Sequence, residues 1–131
     1  MENKTAIAFA PHLNIPPATF DISFYTSAFG AEEIRRFSND DGSIHVAEFS
    51  LGGMLFHLHE AMPGTTNFTP AYCSGTTSTI GVFVPDVHAF FDRAEKAGAK
   101  VIHPVTDYDY GYRQGELFDV FGHPWLIEQK I

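Results

Sequence analysis

The sequence predicts an α+β domain made of two tandem β-α-β-β-β modules, and three internal matches carry that prediction. The run from Glu48 to His59 aligns without gaps on the later run from Leu117 to Glu128. Phe49 falls on Phe118, Gly53 on Gly122 and Phe56 on Trp125. Gly30-Ala31 and Gly98-Ala99, at nearly the same offset, each end a helical stretch and open an extended one. Ile15 falls on Val84 at the offset of the strand match, which needs only a one-residue difference in the helix region. Matches in one order along the chain are the mark of a duplicated half-domain.

The elements follow in order. Residues 5–15 alternate, with Ile7, Phe9, Leu13 and Ile15 on one face and His12 and Asn14 on the other, which predicts a half-buried strand. Pro16-Pro17 ends it, and Thr19 is placed to cap a helix over 20–29 whose stripe is Ile22, Tyr25 and Phe29. Strands over 31–38 and 43–50 flank Asn39-Asp40-Asp41-Gly42, a hairpin signal, and Gly52-Gly53 turns the chain into a strand over 54–60. The segment 61–77, rich in Pro, Gly and Thr, reads as a linker or a flap. The second half repeats the pattern: a strand over 78–84, then a helix capped by Asp86 with Val87, Phe90, Phe91 and Ala94 on its stripe. Strands near 100–106, 114–119 and 123–130 complete it, with Tyr108-Asp109-Tyr110-Gly111 at a turn. One domain over 1–131 results, with module one at about 5–60 and module two at about 78–130.

Composition narrows the function classes. A formal charge of -8 argues against nucleic acid or an anionic membrane surface as partner, since phosphate binding needs clustered Lys and Arg. No apolar run approaches the length of a membrane span, and the N-terminal stretch lacks the pattern of a signal peptide. Cys73 is the single cysteine, so no intrachain disulfide forms and a cytoplasmic location is expected. Thirteen Phe and five Tyr point to an aromatic-lined cavity.

Strand alternation selects the candidate site. Leu55, His57 and His59 share a face opposite Met54, Phe56 and Leu58, and the repeat puts Leu126 and Glu128 with His57 and His59. With helices covering the Phe9, Phe56 and Trp125 side, the other side presents His12, His57, His59 and Glu128, a candidate divalent-metal set. The competing reading is a solvated pair of histidines and an exposed carboxylate near the chain's end. Tyr110 and Arg113, at a turn expected on the cavity rim, are candidates for clamping a planar or anionic ligand. Arg113 paired with a neighbour such as Asp109 is the alternative. Glu48 is a candidate base or a salt-bridge partner; Cys73, His45, His88, His103 and His123 gather no partners that promote them.

The tandem halves, with Phe24-Tyr25 and Ala28-Phe29-Gly30-Ala31 early and Tyr110-Gly111-Tyr112-Arg113 and Asp119-Val120-Phe121-Gly122-His123-Pro124-Trp125 late, resemble the glyoxalase/bleomycin-resistance/dioxygenase, or vicinal oxygen chelate, superfamily. The likeness is closest to its demethylubiquinone-methyltransferase-like subgroup. It implies modules paired into a cup-shaped, mixed, largely antiparallel sheet with helices outside, commonly in a homodimer. The family's four metal-ligand positions fall on His12, His57, Gly81 and Leu126, of which only the two histidines can ligate. Two hypotheses follow. One is a small-molecule-binding protein without a complete glyoxalase metal site. The alternative is a metal-dependent lyase, isomerase or dioxygenase-like enzyme acting on a small oxygen-rich or aromatic substrate. It would use Zn, Ni, Mn or Fe held by His12 and His57, with Glu128 or His59 completing the shell and Arg113 orienting the substrate. Tyr110, Arg113 and His59 are the candidates for ligand contact. No Gly-rich strand-to-helix turn supports a nucleotide-like cofactor or the methyltransferase label.

Overall fold

The computed structural model describes residues 6–131. Module one runs β1 (His12–Ile15), α1 (Phe24–Phe29), β2 (Glu32–Ser38), β3 (Ile44–Leu51) and β4 (Met54–Glu60). A short helix, α2 (Pro70–Cys73), lies in the connecting segment. Module two runs β5 (Ile80–Phe83), α3 (Val87–Lys96), β6 (Lys100–Tyr108), β7 (Tyr112–Phe118) and β8 (Pro124–Lys130). Each module forms its own four-stranded sheet, in the orders β1-β4-β3-β2 and β5-β8-β7-β6. In both, the first strand pairs parallel with the last and the remaining pairs are antiparallel. The register repeats as well as the order: His12 pairs with His57, and at the matching positions of module two Gly81 pairs with Leu126. Among the described residues, no helix is long and apolar enough to cross a membrane.

The helix-covered faces of the two sheets share one core. Tyr25, fully buried, packs against Phe49 and Phe56 of module one and against Phe121 and Trp125 of module two. Phe56 and Trp125, matched by the repeat, meet edge to face with centroids 5.5 Å apart. Asp119 joins the modules by polar contacts. Its Oδ2 accepts from the Tyr25 hydroxyl at 2.7 Å and the Trp125 indole N–H at 3.0 Å, and its Oδ1 from the Phe121 and His123 amides. Burial, then the Asp119 charge and hydrogen bond, push the Tyr25 hydroxyl pKa well above its usual value. Arg93 of α3 donates to the Ser27 and Thr26 carbonyls at the end of α1, adding to the Gly30 amide that already reaches the Thr26 carbonyl. Gly30 closes α1 in the left-handed region, φ 68°.

Two expectations are corrected. The first strand is not 5–15: pairing with β4 starts where the His57 amide donates to the Pro11 carbonyl, so only His12–Ile15 is strand. Ile7 and Phe9, expected on the core face, are 93% and 84% exposed because no partner strand continues past that point. Residue 5 itself lies outside the described residues. Thr19 does not cap the first helix. Its hydroxyl donates to the Pro16 carbonyl, while Asp21 accepts from both the amide and hydroxyl of Ser23, and the helix begins only at Phe24. Within the segment 61–77, Thr69 accepts from the Tyr72 amide and Pro70 opens α2.

Candidate functional site

Opposite the shared core, each sheet presents a second face, and that of module one is a field of histidines. On β1, Leu13 and Ile15 are buried, which turns His12 and Asn14 the other way. On β4, buried Phe56 and Leu58 do the same for Leu55, His57 and His59. The register then draws a row across four strands, His12–His57–Glu48–Arg35, with Arg35 Nε donating to Glu48 Oε2 at 3.0 Å. The rings of His12 and His57 stack with centroids 4.5 Å apart. His59 lies edge-on to His45 at 5.1 Å. His59 Nδ1 contacts the Glu60 carbonyl at 2.7 Å, and a carbonyl only accepts, so Nδ1 carries the proton and Nε2 keeps the lone pair. Glu60 also accepts from His45 Nδ1 at 2.8 Å.

Partial burial, then the neighbouring His57 and His59 imidazoles, hold the His12 pKa below the ordinary value of 6.5. The folded chain therefore disfavours the imidazolium, and as pH falls the unfolded chain takes up this proton first. The stability linked to neutral His12 is present above 6.5 and is lost as pH drops below it. Melting curves recorded from about pH 8 to about pH 5 should fall toward the acid end, and less steeply in His12→Asn.

The corresponding face of module two has a different chemistry. Trp125 and Ile127 point into the core, so Leu126 and Glu128 point away from it. Glu128 is 8% exposed, which rules out a loose tail. Its Oε1 accepts from Gln114 Nε2 at 2.7 Å, and Gln114 Oε1 in turn accepts from the Tyr110 hydroxyl. Its Oε2 lies over Gly81, 2.9 Å from where a Cβ would stand. The missing side chain at Gly81 is thus the space Glu128 occupies. Around them Tyr108 and Tyr110 stack at 5.3 Å, Tyr110 meets Tyr112 at 5.6 Å, and Tyr112 meets Phe83 edge-on at 5.7 Å. A cleft of about 600 Å³ runs between the modules beside Gly81 and Phe83, walled by Met54, Leu55 and Phe56.

The structure separates some residues that the sequence groups. His12, His57 and His59 share one sheet, while Glu128 and Tyr110 belong to the other module. Among the described residues, no three His, Cys, Asp or Glu side chains converge as a metal-ligand set. Arg113 is on the wrong face for the rim. It pairs across the ladder with Gln129, whose side chain accepts from the Val87 amide at the start of α3, so Arg113 lies on the helix side. There it grips Asp107 through Nε at 2.7 Å and Nη2 at 3.1 Å, in place of the expected Asp109. Strand alternation places Phe83 with Gly81 on the face equivalent to that of His12 and Asn14, but no pattern in the sequence singles out Gln114 or Glu116. Glu116 is the ladder equivalent of Glu48, pairing with Leu126 as Glu48 pairs with His57. The gapless sequence match hides it by setting Glu48 on Leu117 and Phe49 on Phe118, whereas the turn of module two is one residue longer and Phe49 corresponds to Leu117.

Comparison with known proteins agrees with this architecture. The sequence model of the Glyoxalase/Bleomycin resistance protein/Dioxygenase superfamily matches residues 21–127. An uncharacterized protein of Mycobacterium bovis is 37% identical over 127 residues, covering 95% of this chain and 84% of that protein. The crystal structure of TioX from Micromonospora sp. ML1 superposes with a TM-score of 0.71 at 24% identity, covering 95% of this chain and all of that one (100%). An Arabidopsis thaliana gene product does so with a TM-score of 0.71 at 27% identity, covering 94% and 98%.

Proposed function

Because the chain belongs to the glyoxalase/bleomycin resistance protein/dioxygenase superfamily, we propose that it binds a small organic molecule on its cup faces without a complete glyoxalase metal site. One observation carries this reading. The same cross-strand position holds a stacked pair of imidazoles in module one and Gly81 beside Leu126 in module two. A tetrahedral or octahedral divalent ion needs at least three protein donors to be held firmly, and a face ending in Gly and Leu supplies none. What module two offers in exchange is aromatic surface and a hydrogen-bonded carboxylate, the ingredients of an organic-ligand site. His59 Nε2 and the Tyr110 ring are the groups we assign to ligand contact. The two unlike faces form a full cup when a second copy sets one against the other, so we place the protein in a homodimer. The subgroup likeness rests on the late motif, whose Asp119 and Trp125 serve the core, and brings no transfer chemistry with it.

A second reading rests on the His12 and His57 rings. Two imidazoles in contact supply two ligands, and Glu128 of a second copy would supply a third, giving a two-histidine, one-carboxylate set suited to Fe(II), Mn, Ni or Zn.

The two readings separate in one experiment. Tagless protein is assayed for bound metal, and its melting temperature is followed against added Zn, Ni, Mn and Fe(II), because a ligand of the native state raises it. The binding reading expects no stoichiometric metal and a rise below about 1 °C. Stoichiometric metal and a rise of several degrees, lost in both His12→Ala and His57→Ala, would establish the enzyme reading instead.

A further inference from the structure

We propose that the module-two face is selective for a flat heteroaromatic cation, stacked on Tyr110 and Tyr112 and paired with Glu128; this rests on the small-molecule reading above. The hydrogen bonds have a direction. The Tyr110 hydroxyl donates to Gln114 Oε1, which orients the amide so that its Nε2 donates to Glu128 Oε1. Burial first, then the neighbouring Tyr108 and the Glu128 charge, raise the Tyr110 pKa and keep this donor protonated. Only one neutral N–H therefore reaches the carboxylate. Among the described residues, Oε2 receives no hydrogen bond and Glu128 forms no ion pair with Lys, Arg or His. Glu128 is 8% exposed and meets a single neutral side-chain donor, so a cation reaching its carboxylate gains a charge-assisted contact that no described residue of the chain already supplies.

The rings supply the rest. Tyr110 is 64% exposed and Phe83 is 58% exposed, so Phe83 and the face of Tyr110 turned away from its stack on Tyr108 are open to a ligand, although each ring leans on Tyr112. Aromatic faces carry negative quadrupole potential and attract a cation above them, and a flat cation adds stacking area. Lys130, paired in the ladder with Tyr112, is the only basic side chain on this face of β8 and is exposed at its edge. The overall charge of -8 acts in the same direction at long range. An anion would meet Glu128 and Glu116 on one sheet face, with Arg113 turned away.

The test compares three bicyclic probes of similar shape by isothermal titration near neutral pH: N-methylquinolinium, quinoline and quinoline-4-carboxylate. We expect the cation to bind about tenfold more tightly than quinoline and the anion to bind most weakly. Glu128→Gln should remove most of that tenfold preference while leaving quinoline within about twofold. Tyr110→Leu should weaken cation and neutral probe alike. Equal or tighter binding of quinoline or the carboxylate overturns the cation assignment and leaves the small-molecule reading standing. Absence of heat from all three at millimolar concentration overturns both. The probe series on the unaltered protein decides the matter even if a variant fails to fold.

Discussion

Asp119→Ala is expected to lower stability by about 3–5 kcal/mol, a fall in melting temperature of roughly 10–20 °C, the larger of the two strongest effects. The side chain is 4% exposed and accepts four hydrogen bonds, two from backbone amides and two from the Tyr25 hydroxyl and Trp125 indole. Removing it strands the Tyr25 hydroxyl and the Trp125 indole N–H in the core, and each unsatisfied buried group costs about 1–3 kcal/mol. Tyr25→Phe should cost about 1–2 kcal/mol, because Trp125 still satisfies Oδ2. Urea denaturation of the two variants checks the ranking. An Asp119→Ala loss no larger than that of Tyr25→Phe would mean that the turn, and not this carboxylate, holds the modules together.

Gly115→Ala is the second. Gly115 lies on the core face of β7, and a Cβ there would stand 2.7 Å from Phe91 Cε2 and 3.0 Å from Val105 Cγ2. Phe91 is held by the seat of α3 on the sheet and Val105 by the neighbouring strand β6, so a cost of about 1–3 kcal/mol is expected, with α3 displaced. The repeat sharpens the prediction. Ala47 occupies the equivalent ladder position in module one, opposite Leu58 as Gly115 is opposite Ile127, and is fully buried without difficulty. The glycine is therefore a demand of Phe91 and not of the fold. Phe91→Leu should recover part of the loss in Gly115→Ala, as a double-mutant cycle by thermal melting would reveal.

The duplication is legible in the sequence because it is written in residue types with few substitutes. Gly30 and Gly98 end helices, Gly53 and Gly122 make tight turns, and Phe56 and Trp125 fill matching core positions. Alternation alone turns His12, His57, His59 and Glu128 away from that core, as the structure does. It fails where pairing, and not pattern, decides. Ile7 and Phe9 continue the alternation of β1 but have no partner strand, so they stay exposed. Arg113 reads from sequence as part of a turn. β7 in fact starts at Tyr112, and from there alternation sends Arg113 to the helix side and Gln114 to the cup. The separation of His57 from Glu128 is invisible in the sequence for a related reason: matching positions in a repeat share an environment without sharing a location. Gly81 reads only as a lost ligand, whereas it is also the room that Glu128 fills.

If ligand binding belongs to the histidine and tyrosine faces of the two sheets, backbone amide shifts in a ¹H–¹⁵N spectrum reveal it most directly. The titrant is a mixture of flat heteroaromatic fragments of both charges. Perturbations are expected at His57, His59, Gly81, Phe83 and Tyr110 through Gln114, fading on Glu128→Gln, with Asp107 and the helix α3 unmoved. Perturbations centred on Asp107, Arg113 and α3, with the cup residues silent, would contradict it.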